Sequence, residues 1–260
     1  MNCYVLDMDG TLNLGDTPID GALEFLLTLR ERSVPFWFFT NNSSRSPKAY
    51  VEKLHRLGFG FVERSDIMTS GDVLIDLLQS RPEIRRVYVA GTSAFREQMR
   101  EAGFELLEED CTDADCAVLG FDTTFTFGKA DCLCRLAAAG VPFYATNVDR
   151  VCPLDNGRFL PDCGSMAAMI EHASGVRPIF VGKPSAFTAQ YILRRTGTAP
   201  ERTAIVGDRL YTDIQTAVNG GMIGIAVLSG ETTEEEISTS SIRPHLVLPS
   251  VRDIQRAIVL

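Results

Sequence analysis

Read from its amino end, the chain alternates short runs of β-branched and aromatic residues with longer stretches in which apolar residues return every three or four positions. The short runs are Tyr4 to Leu6, Phe36 to Phe39, Val87 to Val89, Ala117 to Leu119, Phe143 to Ala145, Ile179 to Val181, Ala204 to Val206 and Ile223 to Val227. Runs of that length and composition predict strands. Helical spacing fills Gly21 to Arg32, Ser46 to Leu57, Ser70 to Gln79, Ser185 to Arg195 and Tyr211 to Asn219. Several of these open on residues whose side chains accept from the first free amides of a helix. Strand and helix in alternation predict βαβ units and a parallel sheet, hence an α/β fold. Glu234 to Glu236 reads as a solvated helix start, and no internal repeat is visible.

Turn residues at Ser80-Arg81-Pro82 and Ser174-Gly175-Val176 interrupt this periodicity. The interval from Thr40 to Lys183 is long enough for several βα units, whereas that from Asp7 to Thr40 holds one loop, one helix and one strand. The expected division is a core of residues 1–81 and 177–260 with a second α/β domain, 82–176, inserted into it.

A length of 260 residues, 45% of them hydrophobic, suffices for a core and an inserted domain. The formal net charge of -9 argues against nucleic acid as partner, because such binding draws on clustered Lys and Arg. It leaves room for one small anion held by local donors. Met1 to Asp7 runs directly into a strand pattern without a basic leader, and the apolar stretch from Ala22 to Leu29 is cut by Glu24 and stopped by Arg30. A cytoplasmic chain with no membrane partner is the expectation. Seven cysteines without C-x-x-C spacing, and three histidines far from them, predict no zinc site or disulfide framework. Cys116 and Cys132 are expected to be small buried apolar side chains.

Three apolar runs stop on polar residues: Leu6 on Asp7, Phe39 on Thr40, and Val206 on Gly207-Asp208. In open parallel sheets ligands lie beyond the carboxyl ends of the strands, so these residues are expected to converge. Asp7-Met8-Asp9-Gly10-Thr11 sets two carboxylates at i and i+2, with Gly10 allowing backbone amides to approach an anion. An ionised aspartate can attack phosphorus without a further base, and its neighbour can protonate the leaving oxygen and then deprotonate water. Asp7 and Asp208 also suit Mg²⁺, which takes a few carboxylates and keeps water and phosphate oxygens as its other ligands.

The order DxDGT at Asp7, TNN at Thr40-Asn41-Asn42, GKPS at Gly182 to Ser185 and GDxxxTD from Gly207 to Asp213 resembles the haloacid dehalogenase (HAD) superfamily. Within it, the chain looks like the NagD and p-nitrophenylphosphatase-like branch, which carries a C2-type cap between its second and third motifs. The resemblance implies a Rossmann-like parallel-sheet core and an inserted α/β cap. It implies Asp7 as nucleophile, Asp9 as acid/base, and Thr40, Asn41 and Lys183 on the phosphoryl oxygens beside Gly10. Mg²⁺ would be held by Asp7, the Asp9 backbone carbonyl and Asp208, with Asp213 behind them or orienting Lys183. The reaction implied is hydrolysis of a small phosphorylated metabolite through an aspartyl-phosphate.

Specificity is expected from the cap, at Asn147, Asp149 and Arg150 in a stretch similar to the family's ATNxD, with Cys163-Gly164-Ser165 opening a helix nearby. The Arg150-Val151-Cys152 continuation departs from some relatives, so their substrates do not carry over. The cap's surface is a place where two copies could join as a homodimer. Dehalogenases of the same fold lack an aspartate at the position of Asp9, and a non-catalytic anion-binding relative would show damage to Asp7, Asp9, Thr40, Lys183 or Asp208. All five are intact. A dinucleotide oxidoreductase would need G-x-G-x-x-G after the first strand, which is absent.

Overall fold

The structure, a computed structural model, describes residues 3–154 and 157–254. By internal contacts the chain forms two units. One is built from residues up to Thr40, from Pro47–Met68 and from Lys183 onward; the other from Asn41–Ser46 and Thr69–Gly182.

In chain order the first unit opens with β1 (Cys3–Leu6), the short pair β2 (Asn13–Leu14) and β3 (Thr17–Pro18), α1 (Ala22–Glu31), β4 (Phe36–Thr40), α2 (Pro47–Arg56) and β5 (Ile67–Thr69). The second unit follows with α3 (Ser70–Gln79), β6 (Arg86–Ala90), α4 (Ser93–Glu101), β7 (Glu105–Leu107), β8 (Cys116–Leu119), α5 (Phe127–Ala138) and β9 (Phe143–Ala145). It ends with β10 (Val151–Pro153), β11 (Phe159–Pro161), α6 (Cys163–Ser174) and β12 (Ile179–Phe180). The chain then completes the first unit with α7 (Ala186–Thr196), β13 (Thr203–Gly207), α8 (Gln215–Gly220), β14 (Ile223–Val227), α9 (Glu234–Thr239) and β15 (Leu246–Leu248).

The first unit's sheet has the order β15-β14-β13-β1-β4-β5, with β1 parallel to both β13 and β4, and β14 parallel to β13 and β15. Every residue of β1 and of β13 is buried, as expected of strands covered on both faces. Leu6 lies opposite both Phe38 and Val206. That register brings the residues following all three strands to one end of the sheet. Tyr4, Leu6, Phe25, Leu26, Phe38, Leu54 and Val206 belong to the core that fixes it.

The second unit has its own parallel sheet, β12-β9-β8-β6-β7, and its own core, in which Tyr88, Leu119, Leu133 and Ile170 meet. Cys116 and Cys132 are fully buried in this unit, and burial pushes the Cys116 thiol up to about 12.

The contact division differs from the boundary read at residues 82 and 176. Residues 69–81 join the second unit, because Asp72 both completes the cap of α3 and accepts from Gln98 Nε2 on α4 at 2.9 Å. Residues 177–182 join it because β12 pairs with β9. The turn at Ser80-Arg81-Pro82 therefore falls inside a unit, with the Arg81 guanidinium donating to the Tyr144 hydroxyl. Asn41–Ser46 is held to the same unit by Ser43, whose Oγ lies 2.9 Å from Thr146 Oγ1 and accepts from Phe121 N. No helix among the described residues is long and apolar enough to cross a membrane.

Candidate active site

Beyond Leu6 the strand path continues for one residue, with Asp7 N donating to Val206 O at 2.9 Å. The chain then turns sharply: the amides of Thr11, Leu12 and Asn13 all point to Met8 O. Gly10 sits at φ 88°, and a Cβ there would overlap the Asp208 carboxylate. Only glycine suits such a position. Its own amide donates to Asn13 O at 2.8 Å, so Gly10 closes the turn.

Lys183 meets Asp7 here although the two lie far apart in the sequence. Its Nζ lies 2.6 Å from Asp7 Oδ1, 2.6 Å from Asp213 Oδ1 and 3.3 Å from Phe39 O. A lysine only 3% exposed is tolerable because the ammonium is so well paired. Asp213 is carried back to β13 by a π-helical turn, Leu210–Ile214, and its other oxygen accepts from Arg209 N at 3.1 Å. Asp208 follows β13 directly. Its Oδ2 accepts from Glu231 N at 2.8 Å, while its buried Oδ1 has no hydrogen-bond partner among the described residues.

Oxygens of Asp7, Asp208 and Asp213 come within 4.8 Å of one another. Burial pushes the Asp7 carboxyl well above the usual range; Lys183 opposes this, and the charges of Asp213 and Asp208 add to it. The Asp7 side chain keeps 15% of its surface, an open side toward solvent from which a ligand can approach. Asp208 is pushed up to about 6, by burial first and then by Asp213. Burial alone would lower Lys183, but Asp213 and Asp7 hold it above its ordinary value. Crowded carboxylates and an orphan buried oxygen are the donor set a hard divalent cation takes. Since both Asp213 oxygens are occupied by Lys183 and Arg209, the donors that fit the cation are those of Asp7 and Asp208.

Asp9 stands at the edge of this group with 55% of its side chain exposed. Its Oδ1 accepts from Asn13 Nδ2 at 2.6 Å and from Lys53 Nζ at 2.7 Å. Lys53 is absent from the sequence reading. A signal existed: Tyr50, Leu54 and Leu57 mark the buried face of α2, and position 53, three after Tyr50 and four before Leu57, falls on it.

Thr40 is buried at the end of β4. Asn41 begins the second unit, where its side-chain amide donates to Asp149 Oδ2 at 2.8 Å and its carbonyl accepts from Ser70 Oγ. The amide read as a phosphate ligand is thus engaged by a carboxylate. Asn147 donates to Asp149 Oδ2 and to Asp162 Oδ1, at 2.9 and 3.0 Å. With exposures of 0% and 2%, Asn147 and Asp149 order their loop from inside. Arg150, by contrast, is exposed.

A family model described as haloacid dehalogenase-like hydrolase matches residues 4–105, and a second HAD-hydrolase-like model matches residues 180–254. The 5'-nucleotidase YutF of Bacillus subtilis is 33% identical over 96% of each chain. An acid sugar phosphatase of Staphylococcus aureus is 30% identical over 98% of this chain and 96% of its own. A crystal structure of a 4-nitrophenylphosphatase from Thermotoga maritima superposes with a TM-score of 0.93 at 36% identity, covering 99% of this chain and 97% of that one.

The chain belongs to the haloacid dehalogenase-like hydrolases. Within that superfamily it is a NagD-like phosphatase, a phosphoric monoester hydrolase. In this HAD hydrolase the first unit brings together the DxDGT, GKPS and GDxxxTD residues Asp7, Asp9, Lys183, Asp208 and Asp213. The two family matches cover that unit's strand ends from both parts of the chain.

Proposed function

We propose that the protein hydrolyses small phosphomonoesters with Mg²⁺, through an aspartyl-phosphate on Asp7. The observation that carries this reading is the position of Asp7: a carboxylate at a strand end, open on one side, with a lysine ammonium at 2.6 Å and the orphan oxygen of Asp208 close by. Asp7, Asp208 and the backbone carbonyl of Asp9 would hold the cation, which when bound offsets the charge of carboxylates and substrate dianion alike. Lys183 places positive charge beside the attacking carboxylate, where the nonbridging phosphoryl oxygens must lie. Thr40, at the end of the adjacent strand, is the second side chain assigned to those oxygens. In the first step a carboxylate oxygen of Asp7 bonds to phosphorus, the bond to the leaving oxygen breaks, and Asp9 gives that oxygen its proton. In the second, Asp9 takes a proton from water as the water oxygen bonds to phosphorus and Asp7 is released.

The second unit is read as the cap that selects the organic group. Of the three side chains expected to set specificity, Arg150 is exposed while Asn147 and Asp149 are buried, which supports Arg150 as the one available to the organic group. Relatives named for nucleotide, sugar phosphate and nitrophenyl phosphate hydrolysis fit a small phosphomonoester as substrate class.

Acid quenching during turnover of a ³²P-labelled phosphomonoester with Mg²⁺ should trap a hydroxylamine-labile phosphoenzyme. Asp7→Asn should form none and lose turnover by about a thousandfold or more, with its fold intact. A trapped phosphoenzyme in Asp7→Asn, or full turnover of the wild type in excess EDTA, would refute the reading.

A further inference from the structure

Lys53 occupies a place that packing alone does not explain. It lies on the inner face of α2 among Pro47, Tyr50 and Leu54, and only 9% of its side chain is exposed. A leucine or methionine there would bury apolar surface without desolvating a charge, and a buried ammonium costs free energy unless it is well paired. Its stem is buried, and its Nζ donates to a carboxylate oxygen, Asp9 Oδ1, at 2.7 Å.

Asn13, four residues on from Asp9, reaches the same oxygen. It is fully buried, and its Nδ2 is divided between Asp9 Oδ1 at 2.6 Å and Gly15 O at 2.8 Å, a fixed fork at the start of the β2–β3 hairpin. The isolated bridge between Asp9 and Asn13 fixes the backbone there as well. Both donors thus converge on Oδ1 of a carboxyl group whose remaining surface faces solvent.

We propose that Lys53 is a positioning residue for Asp9. With Asn13 it pins Oδ1, so that Oδ2 is the oxygen carrying the proton and the carboxyl plane is fixed with Oδ2 directed outward. Proton transfer to a leaving oxygen depends steeply on such alignment. The inference rests on the acid/base reading of Asp9 and extends it to a residue that touches neither substrate nor metal. In the first step Asp9 Oδ2 passes its proton to the departing alkoxide as the Asp7–phosphorus bond forms and the bond from phosphorus to that oxygen breaks.

The test compares single-turnover release of leaving group, with enzyme in excess, for an alkyl phosphate and for p-nitrophenyl phosphate. The alkoxide needs a proton to leave; p-nitrophenolate hardly does. Asp9→Asn should slow alkyl release by about a hundredfold or more and nitrophenolate release far less. Lys53→Met should reproduce that asymmetry in weaker form, about tenfold on alkyl release and about twofold or less on nitrophenolate. Lys53→Gln should behave likewise, and Lys53→Arg should recover part of the alkyl rate. The melting temperature of Lys53→Met should be unchanged or raised. If Asp9→Asn is asymmetric while Lys53→Met and Lys53→Gln slow both substrates equally or neither, the positioning role falls and the acid role stands. If Asp9→Asn itself shows no asymmetry, the acid role falls and the positioning role with it.

Discussion

At Asp208 a carboxylate oxygen is buried and has no donor among the described residues, while its twin is held by the amide of Glu231 and crowded by Gly10 and Gly230. Two glycines packed on one carboxylate leave no room for a side chain on either. Gly10→Ala would place a Cβ in the Asp208 carboxylate and force a side chain to φ 88°. The expected result is a loss of about 1–3 kcal/mol from backbone strain, together with a fall of about tenfold or more in kcat/KM as Asp208 is displaced. Thermal denaturation and steady-state kinetics check the two parts separately. Unchanged kinetics would mean that the turn at Gly10 relaxes without moving Asp208. Asp7, Asp9, Lys183 and Asp208 were legible as a group because each ends or follows an apolar run, so sequence alone places it at a sheet edge. Lys53 was not, because a lysine in an amphipathic helix is ordinary and only the phase of Tyr50, Leu54 and Leu57 reveals that it faces inward. Asn147 and Asp149 read as contact residues because polar side chains after a strand usually face solvent; here they face each other and Asp162.

Strands buried on both faces announce themselves in sequence, and every apolar run singled out there is a strand or contains one. Some of the elements that escaped have weaker patterns for physical reasons. β2, β3, β10 and β11 are two or three residues long, and their positions are partly or fully exposed apart from Asn13. α4 buries only Phe95 and Met99 among charged neighbours, so its apolar stripe is one residue wide. β7 is an edge strand at the end of its sheet. The boundary expected at a turn differs from the contact division because turn residues mark where an element ends, and not which unit it packs on. Gln98 Nε2, donating to Asp72 Oδ1, ties α3 to the second unit, and a capping box fixes the helix start: Thr69 N donates to Asp72 Oδ2 at 2.9 Å and Asp72 N to Thr69 Oγ1 at 3.1 Å. Thr69→Ala removes half of it. The variant should lose about 1 kcal/mol by urea denaturation, and the first-turn amides of α3 should exchange faster than in the wild type. Unaltered exchange at Asp72 and Val73 would show that the Gln98 contact alone suffices to hold the helix start.

For the whole molecule, the formal net charge of -9 is compounded at the site, where Asp7 and Asp213 share one lysine and the Asp208 carboxylate lies close to both. Without a cation this arrangement opposes folding at neutral pH, and the sign can be worked out from Asp208. Its carboxyl is at about 6 in the folded protein against 3.8 as the ordinary value, a displacement upward. Between those values the folded chain holds a proton that the unfolded chain has released, so stability falls as pH rises through the window from about 4 to 6 and stays low above it. Asp7, also displaced upward, acts in the same direction. The shift at Asp208 corresponds to about 3 kcal/mol once the window is passed. In EDTA, Asp208→Asn should therefore melt above the wild type at pH 8, and the difference should shrink as the pH is lowered toward 4. Mg²⁺ should raise the wild-type melting temperature more at pH 8 than at pH 5, because at the lower pH a proton competes for Asp208. It should do little for Asp208→Asn at either pH. Melting curves of both proteins at three pH values, with EDTA and with Mg²⁺, settle the matter. A variant less stable than the wild type in EDTA at pH 8 would mean that the Asp208 carboxylate is a net support of the fold, its bond to the Glu231 amide outweighing its burial and the charge of Asp213.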